Sequence, residues 1–570
     1  MLIEGSLTAI AMAVVFAWPK LGSAGFSCIE RAFGRLARKQ GLAVVVVGLS
    51  ALLLRLAILP FCPIPLPFVP DDFSFLLAAD TFAHFRLTNP TPAMWVHFES
   101  IHITMQPTYA SMYFPAQGLV LAAGKVLLGN PWYAVLLTSA LMCAAICWML
   151  QAWMPASWAL LGGMLAIVHL GLFSYWINTY HAAGALGAIG GALILGSLPR
   201  IMRTPRLCYT LAMAAGISIL GLTRPYEGLL LCLPVLVVLG RWLIVAKNRP
   251  SARELFRLAA VPLLLVISCA AWMGYYDYKA FGSPLTLPYT VDRATYAMAP
   301  YYIWQKPHPE PLYHHAAMRS FYYIEMEDLT LSRSVPDYIS AIMLKIVRVI
   351  LFLAGLAFLP LAFMLRRVLL DHRVRFLVVC VLILMGGMTI EIFLIPHYIA
   401  PFIAAFYAIG LQAMRHFRVW RPGGKSVGKT LVRLMVTICL IMAGLRLYAG
   451  PLHFPLPEWP AANWNYSWYG PDHFGTERLR VKTGLEQLPG KQLVIVRYTS
   501  KHNPFDEWVY NAADIDSSKV IWAREMVDET DNLELIHYYP NRKVWLVEPD
   551  SLPAIVSPYP TLGQIASATH

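Results

Sequence analysis

The chain has 570 residues, 58% of them hydrophobic and 14% charged, with a formal net charge of +13. Soluble domains carry roughly 25% charge, so a string of soluble domains is excluded for most of the length: the first 450 residues lack the polar surface it would need. Nucleic-acid binding is also excluded as the source of the positive charge, because that charge gathers in short loops between apolar runs. Examples are Arg200, Arg203 and Arg206; Lys247, Arg249, Arg253 and Arg257; Arg366, Arg367, Arg373 and Arg375; and Arg415, Arg418, Arg421, Lys425 and Lys429. This is the positive-inside pattern of a multi-pass membrane protein, with contact to anionic lipid headgroups as a compatible second role.

Residues 1–40 read as an N-terminal anchor or interfacial segment; the apolar run at 7–18 follows Glu4 rather than a basic stretch, which makes a poor cleavable signal. A membrane crossing needs about 20 residues at 1.5 Å each. Candidate spans lie near 41–60, 132–150, 156–173, 180–196, 207–222, 226–245, 257–275, 341–365, 374–395, 396–412 and 430–449, roughly twelve with the N-terminal run. Placing the basic loops at 197–206, 246–256, 366–373 and 413–429 inside puts 61–131, 276–340 and everything after 450 outside. Residues 115–129 would invert every later loop if they crossed. They are short, contain Lys125 and end in Gly129-Asn130-Pro131, so an amphipathic helix lying at the outer interface is expected.

The first outer loop opens with Asp71 and Asp72, just beyond a span. Such a pair can accept a proton from a hydroxyl, or hold a divalent cation such as Mg or Mn near a phosphate. An Asp N-cap for a helix beginning at Phe73 is the plainer alternative. The same loop holds His84, His97, Glu99 and His102. A helix would put Glu99 and His102 on one face, but no strict metal-ligand spacing is present. Arg224, in Gly221-Leu222-Thr223-Arg224-Pro225-Tyr226-Glu227, lies in an outer turn where arginines are few; it can fork onto a phosphate or pair with Glu227. His181, in the aromatic turn 175–181, and the His397-Tyr398 pair opening a late span can face a phosphate or a headgroup; an aromatic belt and a span cap are the alternatives.

The loop at 276–340 is rich in Tyr, Trp, Pro and His, and structureless loops of that length are often functional. Gly423-Gly424-Lys425-Ser426 lacks nucleotide-loop spacing, and no Gly-rich nucleotide fingerprint occurs elsewhere. The nine cysteines show no metal-ligand pairing, and residues 450–570 contain none. That tail has a soluble composition. Strands are expected at 493–498, 519–523 and 543–547, with a short helix beginning at Arg524-Glu525-Met526. Trp459, Trp464, Trp468 and Trp508 can contact glycan faces or pack the small domain.

The run Asp71-Asp72-Phe73-Ser74-Phe75-Leu76-Leu77-Ala78 behind one span, Tyr113-Phe114-Pro115-Ala116-Gln117-Gly118 leading into a juxtamembrane helix, and the Gly129-Asn130-Pro131 turn resemble the GT-C class of polytopic glycosyltransferases. That class includes protein mannosyltransferases and lipid A aminoarabinose transferases, and the likeness is to a bacterial subgroup. The resemblance covers about 41–450. It implies a mainly α, polytopic membrane domain at 41–449 with outer loops 61–131 and 276–340, and a small extracytoplasmic α/β domain at 450–570, in the bacterial cytoplasmic membrane.

It also implies transfer of a sugar, with inversion, from a polyprenyl-phosphate donor to a lipid, glycan or protein acceptor, with membrane lipids as further partners and no nucleic acid. Asp71 matches the first acidic position of the class, and Asp72 stands where Glu is common. Related transferases often have Lys or Glu just before the proline matched by Pro115, where this chain has Tyr113 and Phe114. Phosphate binding then falls to Arg224 or His181, and His397-Tyr398 matches a late Arg-Tyr only loosely. Glu99, His102 and Tyr113 complete the expected substrate-binding set. A transporter, or a noncatalytic envelope-glycan assembly protein, is the alternative function. The transporter reading calls for midpoint charges, in which the spans are poor, and for an inverted repeat, which the sequence does not show.

Overall fold

The computed structural model describes residues 2–246, 249–331, 333–449 and 474–560. Trp459, Trp464, Trp468 and Lys247 therefore lie outside the described residues. The fold is mainly helical. Among the described residues seven helices are long and apolar enough to cross a membrane: Gln40–Ala57, Trp132–Trp153, Gly184–Arg203, Pro225–Val245, Ala252–Phe281, Pro396–Arg418 and Val427–Leu447. Residues 341–365, expected as one span, are instead two helical pieces, Val335–Ala354 and Leu359–Leu369, meeting at 109°. Gly355, at φ +56°, ends the first piece. Leu2–Ala17, Ala156–Leu172, Leu207–Gly221 and Arg375–Ile390 are apolar but shorter helices.

The helices differ in what surrounds them. Trp132–Trp153 and Gly184–Arg203 are mostly buried against their neighbours, whereas Ala252–Phe281 leaves Val261, Leu263, Leu264 and Ile267 exposed. Exposed apolar residues in such a row are the expected face toward lipid.

Two ends of the bundle can be told apart. At one, Arg418 and Arg433 pair with Glu30 at 3.0 and 2.9 Å, and Ser426 Oγ donates to the Pro19 carbonyl. The helix Val427–Leu447 leads from there to Tyr448, whose ring meets Phe61 edge-on at 5.8 Å. Its 21 residues span roughly 31 Å, so the basic loop and the Asp71 loop lie a bilayer's thickness apart.

The helix Pro115–Leu128 has 14 residues, roughly 21 Å and too short for the hydrocarbon core. It packs on the helix Pro70–Ala83, with Gly118 so close to Ala78 that an added Cβ would lie 2.7 Å from that methyl.

Among its described residues the tail folds as a four-stranded sheet with two helices. Strands β3 (Lys491–Val496), β4 (Val520–Arg524), β5 (Arg542–Glu548) and β6 (Ile555–Pro558) run in the order β4-β3-β5-β6; β1 (Ile103–Thr104) and β2 (Ala110–Ser111) form a small antiparallel pair in the first outer loop. β3 is parallel to β4 and β5, and β6 is antiparallel to β5. Arg524 closes β4 rather than opening a helix, and the helix that follows is Glu529–Tyr538. The β-branched and aromatic run Val520-Ile521-Trp522-Ala523 keeps Arg524 extended, and Asp528 caps the helix by accepting from the Thr530 amide.

Strand periodicity gives the sheet two buried faces. Val494, Val496 and Trp522 pack on the tail's own Val481 and Leu485. Leu493, Ile521 and Ala523 pack on Leu77, Phe98, Ile103 and Tyr109 of the first outer loop and its helix. The tail and that loop share one core, which puts them on the same side of the bundle.

Candidate functional site

Pro63, Pro65, Pro67 and Pro70 keep the approach to Asp71 extended, and Pro70 then opens the helix Pro70–Ala83 as its first residue. The N-cap is Val69, with no side-chain cap, so neither aspartate caps this helix. Both sit in its first turn, where the helix dipole favours a negative charge.

The two carboxylates diverge. Asp72 is wholly buried, and its Oδ1 accepts from the Tyr180 amide and from His181 Nδ1, each at 2.9 Å. It anchors the turn between Leu172 and Gly184. His181 thus serves as the partner of Asp72 while lining the central cavity. Asp71 faces that cavity. Its Oδ1 accepts a short hydrogen bond from Tyr113 Oη, and its Oδ2 lies 3.5 Å from His102 Nδ1. Tyr113 Oη and His102 Nδ1 are 3.0 Å apart, closing a triangle.

His102 is held at φ +64°, a left-handed conformation uncommon for a residue with a side chain. Ser74 Oγ and the Met112 amide both donate to its carbonyl and fix it there. Burial would raise the pKa of Asp71, but the charges of His102 and His181 and the Tyr113 hydrogen bond outweigh it and hold the carboxyl well below the usual range. Burial would lower that of His102, yet the Asp71 charge raises it above that of a free histidine.

The cavity has a volume of about 360 Å³ and is lined by Asp71, His102, Tyr113, His181, Arg224, His397 and Tyr398, seven residues singled out from the sequence. Arg224 lies 3.4 Å from Glu227 Oε1 through Nη1, and its guanidinium stacks on the Tyr398 ring at 4.6 Å. Its Nε is buried without a hydrogen-bond acceptor among the described residues. His397 Nδ1 meets Tyr175 Oη at 2.8 Å inside the 3₁₀ turn Pro396–Phe402. Gly191 permits this arrangement: any Cβ there would overlap the Pro401 carbonyl, so only glycine lets the helix Gly184–Arg203 approach the turn.

Glu99 is not in this cavity. The short helix Trp95–Phe98 ends before it, so Glu99 and His102 do not share a helical face. Glu99 is buried and accepts from Tyr296 Oη at 2.9 Å and from His314 Nδ1 at 2.8 Å, while its carbonyl accepts from Arg524 Nε at 2.7 Å. It knots both outer loops to the tail rather than reaching a substrate. His84 folds back on the Asp80 carbonyl, and His97 lies against the Arg524 carbonyl.

As a pair, Asp71 and Asp72 offer one open carboxylate, not two, to a divalent cation. Among the described residues no group of three His, Cys, Asp or Glu is placed to hold a metal ion. Trp508 is buried in the tail's core, so its ring is packing rather than a glycan platform.

Several lining residues were not singled out from the sequence. Arg293 donates two bonds to Glu325, at 2.9 and 2.7 Å, beneath Tyr301 and Phe393. Lys345 donates to the carbonyls of Met388 and Glu391, and Arg348 also lines the wall. Arg293 carries the signal used for Arg224, an arginine in an outer loop; Lys345 and Arg348 are charges in an apolar run. Asp292, wholly buried beside Arg293, is pushed up to about 6 by burial, with His102 opposing.

No protein-family model and no curated protein matches the chain. Among solved structures, it is similar to ArnT from Cupriavidus metallidurans bound to undecaprenyl phosphate, at 13% identity and a TM-score of 0.48, covering 89% of this chain and 92% of that one. It is also similar to the apo oligosaccharyltransferase of Archaeoglobus fulgidus, at 10% identity and a TM-score of 0.46, covering 89% of this chain and 69% of that one. No residue correspondence follows from identities this low.

Proposed function

We propose that the chain is a membrane glycosyltransferase that moves a sugar from a polyprenyl-phosphate donor to an acceptor hydroxyl at the outer side of the bacterial cytoplasmic membrane. The observation that carries this reading is one cavity with an ionised Asp71 and the guanidinium of Arg224 both in its wall. Its volume suits a small polar ligand. Arg224, with an unused buried Nε and an aromatic bed, is built for the phosphate.

In the step itself the acceptor oxygen forms a bond to the anomeric carbon as the carbon–oxygen bond to phosphate breaks. The electron pair leaves on the phosphate oxygen, whose growing charge Arg224 stabilises. Attack opposite the departing phosphate inverts the anomeric carbon. The acceptor's proton passes by way of Asp71 to water or to the departing phosphate. A carboxyl held so far toward its ionised form is a weak base, so its main work is to orient the acceptor hydroxyl, with Tyr113 and His102 fixing its own position. Asp72 acts at one remove, setting His181 in the wall.

The test is transfer of labelled sugar from polyprenyl phosphate by the full chain in lipid nanodiscs. Transfer that Asp71→Asn slows about a hundredfold and Arg224→Ala weakens through donor affinity supports the reading. Solute flux without a covalent product refutes it.

A further inference from the structure

A second cavity, of about 420 Å³, lies at the joint between the tail and the approach to Asp71. Its wall includes Arg478, Lys519, Tyr510, Trp522 and Phe73, together with Lys482 and Glu486, which pair with each other at 2.7 Å. Arg478 is 8% exposed, and its guanidinium lies 4.7 Å from the Phe73 ring and 4.9 Å from that of Trp522. Nε and Nη2 donate only to the Trp508 and Tyr510 carbonyls. Among the described residues no carboxylate lies within ion-pair distance of it or of Lys519, whereas the buried Arg293, Arg433 and Arg524 each have one; Arg55 and Arg542, like Arg478, donate to backbone carbonyls. Burial pulls the Arg478 pKa down to about 10, the direction expected of a buried cation short of counter-charge.

We propose that this pocket is a separate anion-binding site, taking a carboxylate or phosphate group between Arg478 and Lys519. A buried charge left unpaired is costly, and an oxyanion here would neutralise it with charge-assisted hydrogen bonds. Phe73 follows Asp72 directly, and its ring stacks on Tyr510 at 4.7 Å. An anion in the pocket therefore bears on the first turn of the helix that carries Asp71. Gly475, at φ +76°, closes the pocket against Pro67, where an added Cβ would lie 2.9 Å from the carbonyl oxygen. This site does not depend on the chain being a transferase.

The test is calorimetric titration of the full chain in zwitterionic nanodiscs with inorganic phosphate, glucuronate and, as neutral control, glucose. An Arg224→Ala background weakens anion binding in the central cavity, and the Arg478 and Lys519 variants assign what remains. Saturable millimolar binding of at least one anion is expected, with none for glucose. Lys519→Gln, at an exposed position, should weaken binding about threefold to tenfold, and Arg478→Lys, which keeps charge but loses the fork, about tenfold or more. Tighter glucuronate assigns a saccharide carboxylate, and tighter phosphate a phosphate group. Absence of saturable binding by both anions, or binding unchanged by Lys519→Gln and any folded Arg478→Lys, overturns the proposal. If Arg478→Lys does not fold, Lys519→Gln decides alone.

Discussion

Asp71→Asn separates the charge of Asp71 from its shape. The amide oxygen can still accept from Tyr113 Oη, and the Tyr113–His102 contact does not involve Asp71, so the triangle keeps two sides. Loss of a first-turn carboxylate costs the helix about 0.3–1 kcal/mol, too little to unfold the chain. The variant lacks the ionised oxygen offered to the acceptor. A hydrogen bond to a charged group contributes about 1.5–3 kcal/mol, equal to roughly 10- to 150-fold in rate. His102 also loses the charge that raises its pKa, so its titration should move downward. The assay is single-turnover transfer of labelled sugar from polyprenyl phosphate in nanodiscs, with donor affinity measured alongside. Turnover should fall about 10²-fold while donor affinity changes little. A folded Asp71→Asn with near-wild-type turnover would refute the assignment of Asp71 to the reaction.

Arg224→Ala should weaken donor binding about 10- to 100-fold and leave the rate from saturated enzyme less affected; equilibrium binding of a fluorescent polyprenyl phosphate decides, and unchanged affinity rejects the phosphate contact. Asp72→Asn should act on the fold, because it weakens the hold on Tyr180 and His181; a clear drop in the thermal midpoint is expected, and an unchanged midpoint with lost turnover would move Asp72 into the reaction. Asp292 titrates near 6 against an ordinary 3.8, so its ionisation opposes folding as pH rises through that window, by up to roughly 3 kcal/mol at neutral pH. Asp292→Asn should therefore raise the thermal midpoint more at pH above the window than at its acid end, and a gain independent of pH contradicts this. In a background freed of the exposed Cys28 and Cys208, Val527→Cys, at a 99% exposed tail position, should react with an impermeant thiol reagent from outside and Lys425→Cys should not; the reverse pattern inverts the topology.

Much of this molecule can be read before folding, within physical limits. Apolar runs and basic loops disclose helices and their ends, because lipid admits few other backbones. The break after Ala354 escapes that reading, since both arms are apolar and Gly355 is one glycine in an otherwise continuous apolar run. Asp71 was legible as an acid beyond a span. Its divergence from Asp72 follows from helical geometry, which turns adjacent residues by roughly 100°, but which of them faces the cavity depends on where Tyr180 and Tyr113 are carried by distant segments. Arg224, His397 and Tyr398 were found through their side of the membrane, and the same signal was present for Arg293. Glu99 was misread because its partners, Tyr296, His314 and Arg524, come from two segments far along the chain.

Asp80 sits on the same helix as Asp71, and its two oxygens go to different masters: Oδ1 to Lys125 and Oδ2 to the amide of Ala513, at 2.7 Å for the latter. The second partner emerges from the ribosome nearly four hundred residues after the first. The helix bearing Asp71 is therefore only half-braced until the tail has folded against it. A chain truncated before Ala513 would keep its spans and its cavity residues yet lack the clamp on their central helix. The bracing of the Asp71 helix is thus complete only when the outer domain is.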